Sequence, residues 1–384
     1  MNIAMVSSPH VPVPPKKYGG TERVVYALIK GLSELGHKVF LLAPGDSDVS
    51  GLNCELIPIT PEHIFFGKDK LSQEKVEAET QKIRQHTKQL LKEVLPEVDI
   101  IHSHGFDLID FQDFPNLTTL HGMFLLEKMD YFEQRRGLNF VSISKNQQNS
   151  FPDLQYVGVI YNGLIPERFP FNPDPQEYVC FLGRFDREKN PHEAISLAVH
   201  LGIPIKLAGK IDFLGKDYFE EEVQPHFDNP LVSYLGELEL PEKIELLKNA
   251  VCNLHPANFR EPFGLTVMEA AYCGTPTLAI RRGSMSELIE NGRTGILVED
   301  FAEGYHRLEE IREFDRRYIS QRARMLFNYK TMSRQYEYAY QEVIASQKKS
   351  SSLTNGKAEH MNKLRQEITA IWNERHGTQN SSEI

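Results

Sequence analysis

Residues 261–280, EPFGLTVMEAAYCGTPTLAI, decide the fold around the candidate site. Pro262 cannot donate a backbone hydrogen bond and is expected to close the preceding loop. The apolar run 265–273 predicts a helix that ends at Gly274. Gly264 then lies at the helix start, where the first amides lack intrahelical acceptors and carry the positive end of the helix dipole. This junction therefore favours an anion or a crowded hydroxyl group as its ligand.

Two glutamates, Glu261 and Glu269, lie eight residues apart on either side of this junction. Glu269 is predicted two turns into the helix beside an apolar face, where a carboxylate without a partner is costly. Glu261 is predicted in the loop at the mouth of the site. We expect hydroxyl partners for both carboxylates. The alternative is that Glu261 is a solvated loop charge and Glu269 a helix-surface charge.

Strand and helix patterns alternate along the chain from this segment outwards. An apolar run at Asn2 to Val6, helical spacing over residues 21–35 and a strand pattern at Lys38 to Leu42 predict a β-α-β unit. A second alternation begins near Tyr178 with YVCFLG. The two halves are joined near residues 165–176, where IPERFPFNPDPQ contains four prolines. The sequence therefore predicts two α/β domains.

The length of the chain agrees with two domains, and its composition argues against some functions. A chain of 384 residues is about right for two domains. A net charge of -10 argues against a nucleic-acid groove, which needs a concentrated basic face. The sequence has neither a run of eighteen apolar residues nor a leader pattern, so we expect a cytoplasmic protein; nothing supports peripheral membrane contact. The four cysteines form no C-x-x-C pair, which indicates neither a zinc knuckle nor a disulfide framework.

A glycine pair stands before the first predicted helix. Gly19 and Gly20 end a long loop, and Thr21 is expected to cap the helix. Glycines there allow a ligand to approach the backbone closely, although ordinary turn chemistry is the alternative. The loop lacks G-x-G-x-x-G, which argues against a dinucleotide cofactor.

Two cations follow the strand YVCFLG, at the carboxyl edge where doubly wound sheets bind ligands. Arg184 and Lys189 are five residues apart and are predicted to converge on one anion, with the planar fork of Arg beside the compact charge of Lys. Acidic neighbours at positions 186 and 188 leave a salt-bridged surface turn as the alternative.

Three histidines follow or end predicted strands of the first half. His121 comes after the apolar run 117–120 and is expected to point into the cleft. His102 and His104 alternate by two and share one face of a strand, a geometry that could hold a metal, yet no third ligand is evident. We interpret these two as packing and hydrogen-bonding groups.

Several motifs occur together in a characteristic order: YGGTE, IIHSH, TTLHG, YNGL, LGRFDREKN, LAGK and E-P-F-G-L. In this order, over roughly residues 1–300, the chain resembles the retaining glycosyltransferases of family 4. The resemblance implies the α/β fold GT-B, in which two doubly wound Rossmann-like domains face each other across a cleft. One departure is Asn190, where the family often has Gly.

The resemblance also implies a division into domains. Residues 1–165 would form the acceptor-side domain, completed by a returning helix at about 327–346. Residues 177–326 would form the donor-binding domain. Residues 347–384 would be a polar linker with a possible amphipathic tail helix around Met361 and Trp372.

The implied reaction is transfer of a hexose from a nucleotide diphosphate sugar to an acceptor hydroxyl, with retention of configuration. Arg184, Lys189 and the amides near Gly264 would stabilise the leaving diphosphate, which Gly19 and Gly20 would face. His121 would contact the transferred sugar. Glu261 would bind the sugar hydroxyls beside the amides of Phe263 to Leu265, and Glu269 would bind the ribose hydroxyls.

The reaction would need no metal or other cofactor, because the nucleotide sugar is a co-substrate. UDP-hexose is preferred over GDP-mannose on family frequency alone. A front-face mechanism and a covalent sugar on a carboxylate both stay open, and the acceptor, a glycan, lipid or small molecule, is not identified.

Other functional classes are compatible with this architecture. A nucleotide-sugar epimerase would use the same fold without an acceptor, and a non-catalytic protein could keep the cleft for binding alone. A nucleotide-dependent oxidoreductase would use a related β-α-β unit, but the missing G-x-G-x-x-G argues against it.

Overall fold

Two parallel β-sheets, each in its own α/β domain, organise the chain. The structure is a computed structural model and describes residues 1–64, 73–123, 126–150, 153–211 and 215–349. Within these residues both sheets have every strand pair parallel. The predicted α/β class, with two doubly wound domains, is confirmed.

The first domain has a seven-stranded sheet in the order β3-β2-β1-β4-β5-β6-β7. The interior strand β1 pairs Ile3 with Val39 on one side and Ile100 on the other, and all three side chains are fully buried. Burial on both faces explains why these strands are continuous apolar runs. The strands are β1 (Asn2–Val6), β2 (Lys38–Pro44), β3 (Cys54–Thr60), β4 (Ile100–Ser103), β5 (Asn116–Leu120), β6 (Asn139–Ser142) and β7 (Gln155–Val159). The helices are α1 (Gly20–Glu34), α2 (Gln73–Val94), α3 (Met129–Glu133) and α4 (Lys145–Ser150).

The second domain has a six-stranded sheet in the order β10-β9-β8-β11-β12-β13. The strand order reverses beside β8, and the crevice at such a switch point is where doubly wound sheets bind ligands. The strands are β8 (Val179–Leu182), β9 (Ile205–Ala208), β10 (Val232–Tyr234), β11 (Cys252–His255), β12 (Thr277–Ile280) and β13 (Gly295–Val298). The helices are α5 (Pro191–His200), α6 (Lys216–Tyr218), α7 (Leu240–Lys248), α8 (Leu265–Tyr272), α9 (Met285–Leu288), α10 (Gly304–Arg307) and α11 (Arg316–Leu326).

The last helix, α12 (residues 329–349), leaves the second domain and lies against the first. Its Tyr340 hydroxyl is 2.7 Å from His102 Nδ1, and its Tyr336 hydroxyl is 2.8 Å from Thr119 Oγ1. Ser333 packs against Gly31 of α1 so closely that a Cβ at Gly31 would be 2.0 Å from Ser333 Oγ. The first domain is therefore completed by a segment from the other end of the chain.

Two local expectations differ from the structure. Thr21 does not cap α1: the helix begins at Gly20, and Gly19 is the N-cap with φ 142°. Glycine adopts this φ without a Cβ penalty, so the chain turns into the helix before Thr21 is reached. Residues 347–349, expected as the start of a polar linker, are helical because α12 continues through them. The rest of that linker and the expected tail helix lie outside the described residues.

The long helix α2 is rich in charged residues. Among the described residues no helix combines the length and the apolar character that a membrane span requires.

Candidate active site

The start of α8 has the geometry that the sequence predicts. Gly264 is the N-cap in the left-handed region with φ 95°, and Gly274 follows the helix with φ 86°. Space as well as φ requires glycine at the N-cap, because a Cβ on Gly264 would be 2.6 Å from Met285 Cε. The side chains of Val267 and Met268 are buried beneath the helix. The free amides of the first turn are thereby held in a fixed position.

The glycine pair of the first domain lies directly across from this helix start. A Cβ on Gly20 would be only 2.8 Å from Leu265 Cδ1, so the two domains meet here at close range. Tyr18 N, just before the pair, donates a 3.1 Å hydrogen bond to Glu237 Oε1 of the second domain. The cavity between the two surfaces is the candidate donor cleft. It is lined by Lys17, Tyr18, Gly19, Gly20, Arg23, Leu182, Gly183, Arg184, Gly209, Lys210, Glu237, Leu238, Lys243, Leu265, Thr266 and Glu269.

Glu261 belongs to a buried ionic cluster. Its Oε2 is 2.5 Å from Lys189 Nζ and 3.3 Å from Nε2 of His255, the last residue of β11. The side chains of Glu261 and Lys189 are only 13% and 15% exposed. Burial alone would raise the pKa of Glu261, but the charge of Lys189 and the His255 imidazole hold it well below its usual range. Glu261 is therefore a carboxylate with a defined orientation and not a solvated loop charge.

Lys189 is positioned by the turn before α5. Its backbone N donates to Asp186 Oδ1 at 2.8 Å, and the next residue, Asn190, is the N-cap of α5 with φ 58°. Asn is one of the few residues that adopt the left-handed region readily. The departure from Gly at this position thus leaves the turn and the placement of Lys189 intact.

Glu269 has a cation as its partner. Its Oε1 is 2.5 Å from Lys243 Nζ, with side chains 3% and 12% exposed respectively. Burial lowers the pKa of Lys243 and also of Arg23 from the first domain, and in both cases the Glu269 charge opposes the effect. A carboxylate at this depth is stable only with such compensation. The helix-surface alternative for Glu269 is therefore wrong.

Arg184 has different partners from Lys189. Its Nε is 3.2 Å from Asp186 Oδ2, and its Nη2 is 3.2 Å from Glu188 Oε2. These are the ion pairs of the surface-turn alternative, and yet Arg184 also lines the donor cleft beside Lys210. In the structure the two predicted cations thus have separate carboxylate partners.

His121 joins the two other histidines in the first domain. His121 Nε2 is 2.8 Å from His104 Nδ1, and His102 bonds through both nitrogens to Tyr340 and Thr119. Burial lowers the pKa of His121 to about 4 and that of His102 to about 3. The pKa of His104 is also lowered well below its usual value, by burial and by the neighbouring His102 and His121. The cluster is therefore neutral near pH 7. His121 and His104 line a separate cavity within the first domain, together with Gly122.

His102 and His104 pack inside the first domain and form hydrogen bonds there, as the sequence predicts. His121 is a third histidine that the sequence did not place beside them. Even so, among the described residues no group of three or more His, Cys, Asp or Glu side chains is arranged to hold a metal.

Three charged or titratable neighbours of the site escape sequence reasoning: His255, Lys243 and Arg23. His255 ends a strand at the ligand-binding edge of its sheet, a position that could have identified it. Lys243 lies on an amphipathic helix, where a lysine is usually solvated, and Arg23 is one of several polar residues of α1. Nothing in the local sequence distinguishes Lys243 or Arg23 from solvated surface charges.

Comparison with known proteins assigns the chain to a family. Residues 18–168 match the model "Glycosyltransferase Family 4", and residues 166–325 match "Glycosyl transferases group 1". Glycogen synthase from Mycobacterium tuberculosis is 25% identical, with 77% of this chain and 82% of that protein covered.

Solved structures share the fold. Sucrose-phosphate synthase from Thermosynechococcus elongatus is 19% identical with a TM-score of 0.73, over 90% of this chain and 99% of that one. The Anabaena protein HepE in complex with UDP-glucose is 17% identical with a TM-score of 0.65, over 90% of this chain and 100% of that one. The chain therefore belongs to the family 4 glycosyltransferases of group 1 and has the GT-B fold.

Proposed function

We propose that this glycosyltransferase moves a hexose from a nucleotide diphosphate sugar to an acceptor hydroxyl with retention of configuration, in the synthesis of a glycan, glycolipid or other glycoconjugate. The observation that carries the proposal is the donor cleft. The cleft is lined by the start of α8, by Arg184 and by the buried Lys243–Glu269 pair, opposite Gly19 and Gly20. The buried Lys189–Glu261 pair does not line the cleft itself; Glu261 lies in the loop that leads into α8.

The nucleotide diphosphate fits the charges of this cleft. Its phosphates would take the amides at Gly264 together with Arg184 and Lys189, since cations and a helix start both stabilise phosphate oxygens. The ribose hydroxyls would donate to Glu269, whose other partner is Lys243 at 2.5 Å. UDP-hexose is the proposed donor, and HepE, a protein of the same fold, is described as a complex with UDP-glucose.

The transferred sugar would lie between Glu261 and the first domain. Glu261 would accept hydrogen bonds from sugar hydroxyls beside the amides of Phe263 to Leu265, and His121 would contact the sugar from the other side. The neutral state of His121 suits this role, because an imidazole that stays neutral can both donate and accept a hydrogen bond.

We favour a front-face reaction. The bond from the anomeric carbon to the diphosphate oxygen breaks, the acceptor oxygen bonds to the same face of that carbon, and its proton passes to the departing phosphate. Arg184 and Lys189 would stabilise the negative charge that grows on the diphosphate. A covalent sugar on Glu261 is the rival. It is disfavoured because Lys189 at 2.5 Å already occupies and stabilises that carboxylate.

The experiment has two stages. A thermal-shift screen over nucleotide diphosphates and their sugars identifies the donor, because a ligand of the folded state raises apparent stability. Incubation of that donor with candidate acceptors, followed by NMR of the product's anomeric coupling, then reads the reaction. We expect a new glycoside with the donor's configuration.

The alternatives predict other products. An altered free nucleotide sugar without an acceptor would indicate an epimerase, binding without any turnover would indicate a non-catalytic protein, and an inverted glycoside would contradict retention.

A further inference from the structure

A second charged feature lies outside the donor cleft, in a groove between the start of α4 in the first domain and two loops of the second. We call it the cationic groove and define it by Lys145, Arg260, Arg281 and Arg282. All four residues are exposed. The chain as a whole has a net charge of -10, so four cations around one groove run against its overall composition.

The charges of the groove are poorly compensated. Arg281 pairs with the exposed Glu299 at 2.9 Å, and Arg282 donates to the neutral carbonyl of Asn258 at 3.0 Å. Within the described part of the chain, neither the Arg260 guanidinium nor the Lys145 ammonium has a hydrogen-bond or ion-pair partner. Like charges held together repel each other, and an anion between them relieves that repulsion.

The only carboxylate among the groove's described lining residues, Glu287, is already occupied. Its oxygens accept hydrogen bonds from the backbone N of Lys145 at 2.8 Å, from the backbone N of Asn146 at 2.9 Å and from the Tyr161 hydroxyl at 2.8 Å. Glu287 thus joins the two domains at the floor of the groove and is not available to neutralise the arginines.

The groove shares a wall with the loop that carries Glu261. Arg260 is the preceding residue, and Ser284 N donates to the Glu261 carbonyl at 3.0 Å. Gly283 lies so close that a Cβ there would be 2.4 Å from Glu261 N. A group bound in the groove therefore lies next to the loop that is proposed to hold the transferred sugar.

We infer that the cationic groove binds a phosphate monoester carried by the acceptor, so that the acceptor hydroxyl is presented beside Glu261. Several converging cations, three of them planar arginine forks, match the oxygens of a phosphate better than a single carboxylate. This inference rests on the proposed function for its meaning. Its ligand, however, is distinct from the donor, because the groove and the proposed donor cleft have no described lining residue in common. The phosphate could belong to a soluble sugar or polyol phosphate or to a lipid headgroup.

The test uses inorganic phosphate as the probe, titrated by calorimetry into the full chain with and without saturating UDP. The groove variant is Lys145→Gln with Arg260→Gln, two exposed side chains whose loss leaves no buried charge. The control variant, Lys82→Gln with Arg136→Gln, removes the same net charge from side chains that are 73% and 54% exposed elsewhere. Phosphate should bind to the unmodified chain in the presence of UDP. The groove variant should bind phosphate at least tenfold more weakly, and the control variant should bind it with unchanged affinity.

The outcomes separate this inference from the proposed function. Three results would contradict phosphate binding in the groove: displacement of phosphate by UDP, an equal loss of phosphate affinity in the control variant, or equal affinity for acetate. Failure of UDP to bind would count against the proposed function and leave the phosphate titration readable.

Vesicles distinguish the two sources of phosphate. Binding to phosphatidate vesicles that inorganic phosphate competes away, with none to phosphatidylcholine, supports a lipid acceptor. Phosphate binding without vesicle binding supports a soluble one.

Discussion

The two domains bury their polar side chains in opposite ways. The second domain builds ion pairs, Lys189 with Glu261 and Lys243 with Glu269, each with 2.5 Å between charged atoms. The first domain buries a histidine cluster, in which burial lowers the pKa of His121 to about 4 and that of His102 to about 3. An ionic network responds to charge that changes during a reaction, whereas a neutral network keeps the same hydrogen bonds over a wide pH range. We therefore propose that the second domain stabilises the leaving group.

The largest effect that this comparison predicts concerns the cations. Arg184→Ala and Lys189→Ala should each lower turnover at saturating donor by about a hundred- to a thousandfold, as loss of a preorganised electrostatic donor does. Steady-state kinetics measures this, with Lys189→Arg expected to recover activity only in part. Arg187→Ala is the matched control, because that arginine lies in the same turn with a side chain 66% exposed. Near-normal turnover in both alanine variants would leave Arg184 and Lys189 as parts of a surface turn.

A smaller effect should separate the two glutamates. Glu269→Gln is expected to weaken binding of the bare nucleotide diphosphate, and Glu261→Gln to weaken mainly sugar-dependent binding and turnover. Each change removes charged hydrogen bonds of about 1.5–3 kcal/mol, or roughly ten- to a hundredfold. Calorimetry with diphosphate and with intact donor gives the four affinities. Equal losses for both ligands in both variants would contradict the division of roles.

The neutral network of the first domain predicts a pH effect on stability. The folded-state pKa of His121 is lowered to about 4, so between about pH 6.5 and 4 the unfolded chain takes up a proton that the folded chain does not. Stability should therefore fall as pH decreases below 6.5. The contribution of one such histidine is about 1.4 kcal/mol per pH unit.

Urea unfolding at pH 7.5 and 5.5 measures this dependence. His121→Gln should reduce it by one proton, whereas His200→Gln, at an exposed position of α5, should leave it unchanged. The same pH dependence in all three proteins would mean that His121 titrates normally in the folded state.

The smallest effect is expected from metal removal. We predict that donor binding and turnover are unchanged in excess chelator, because Arg184, Lys189 and the amides at Gly264 would supply the charge stabilisation that a divalent cation otherwise gives. Activity that disappears with chelator and returns with magnesium or manganese would show that these groups are insufficient.

The sequence predicts the backbone of the site better than the ion pairs between its side chains. The α8 start, with Gly264 before it and Gly274 after it, follows from local rules, because helix ends depend on a few neighbouring residues. The Lys189–Glu261 and Lys243–Glu269 pairs join residues 72 and 26 positions apart. Such pairs depend on how loops and helices pack, and no local pattern contains that information.

The first domain shows the same limit at longer range. The sequence placed His102 and His104 on one strand face, but the partner of His102, Tyr340, lies 238 positions away on α12. His121 comes beside His104 because β4 and β5 are neighbours in the sheet. The prediction that Thr21 caps α1 is wrong because Gly19, with φ 142°, is the N-cap and the helix already begins at Gly20.

The central claim, that the second domain stabilises the charge of the leaving diphosphate, has one direct measurement. Free UDP carries the charge that develops on the leaving group, whereas the intact UDP-sugar carries less. Calorimetry should therefore show that Arg184→Ala weakens binding of UDP more than binding of the donor, reducing the preference for UDP by about tenfold. An equal loss for both ligands would contradict the claim, because Arg184 would then bind the ground state and the leaving group alike.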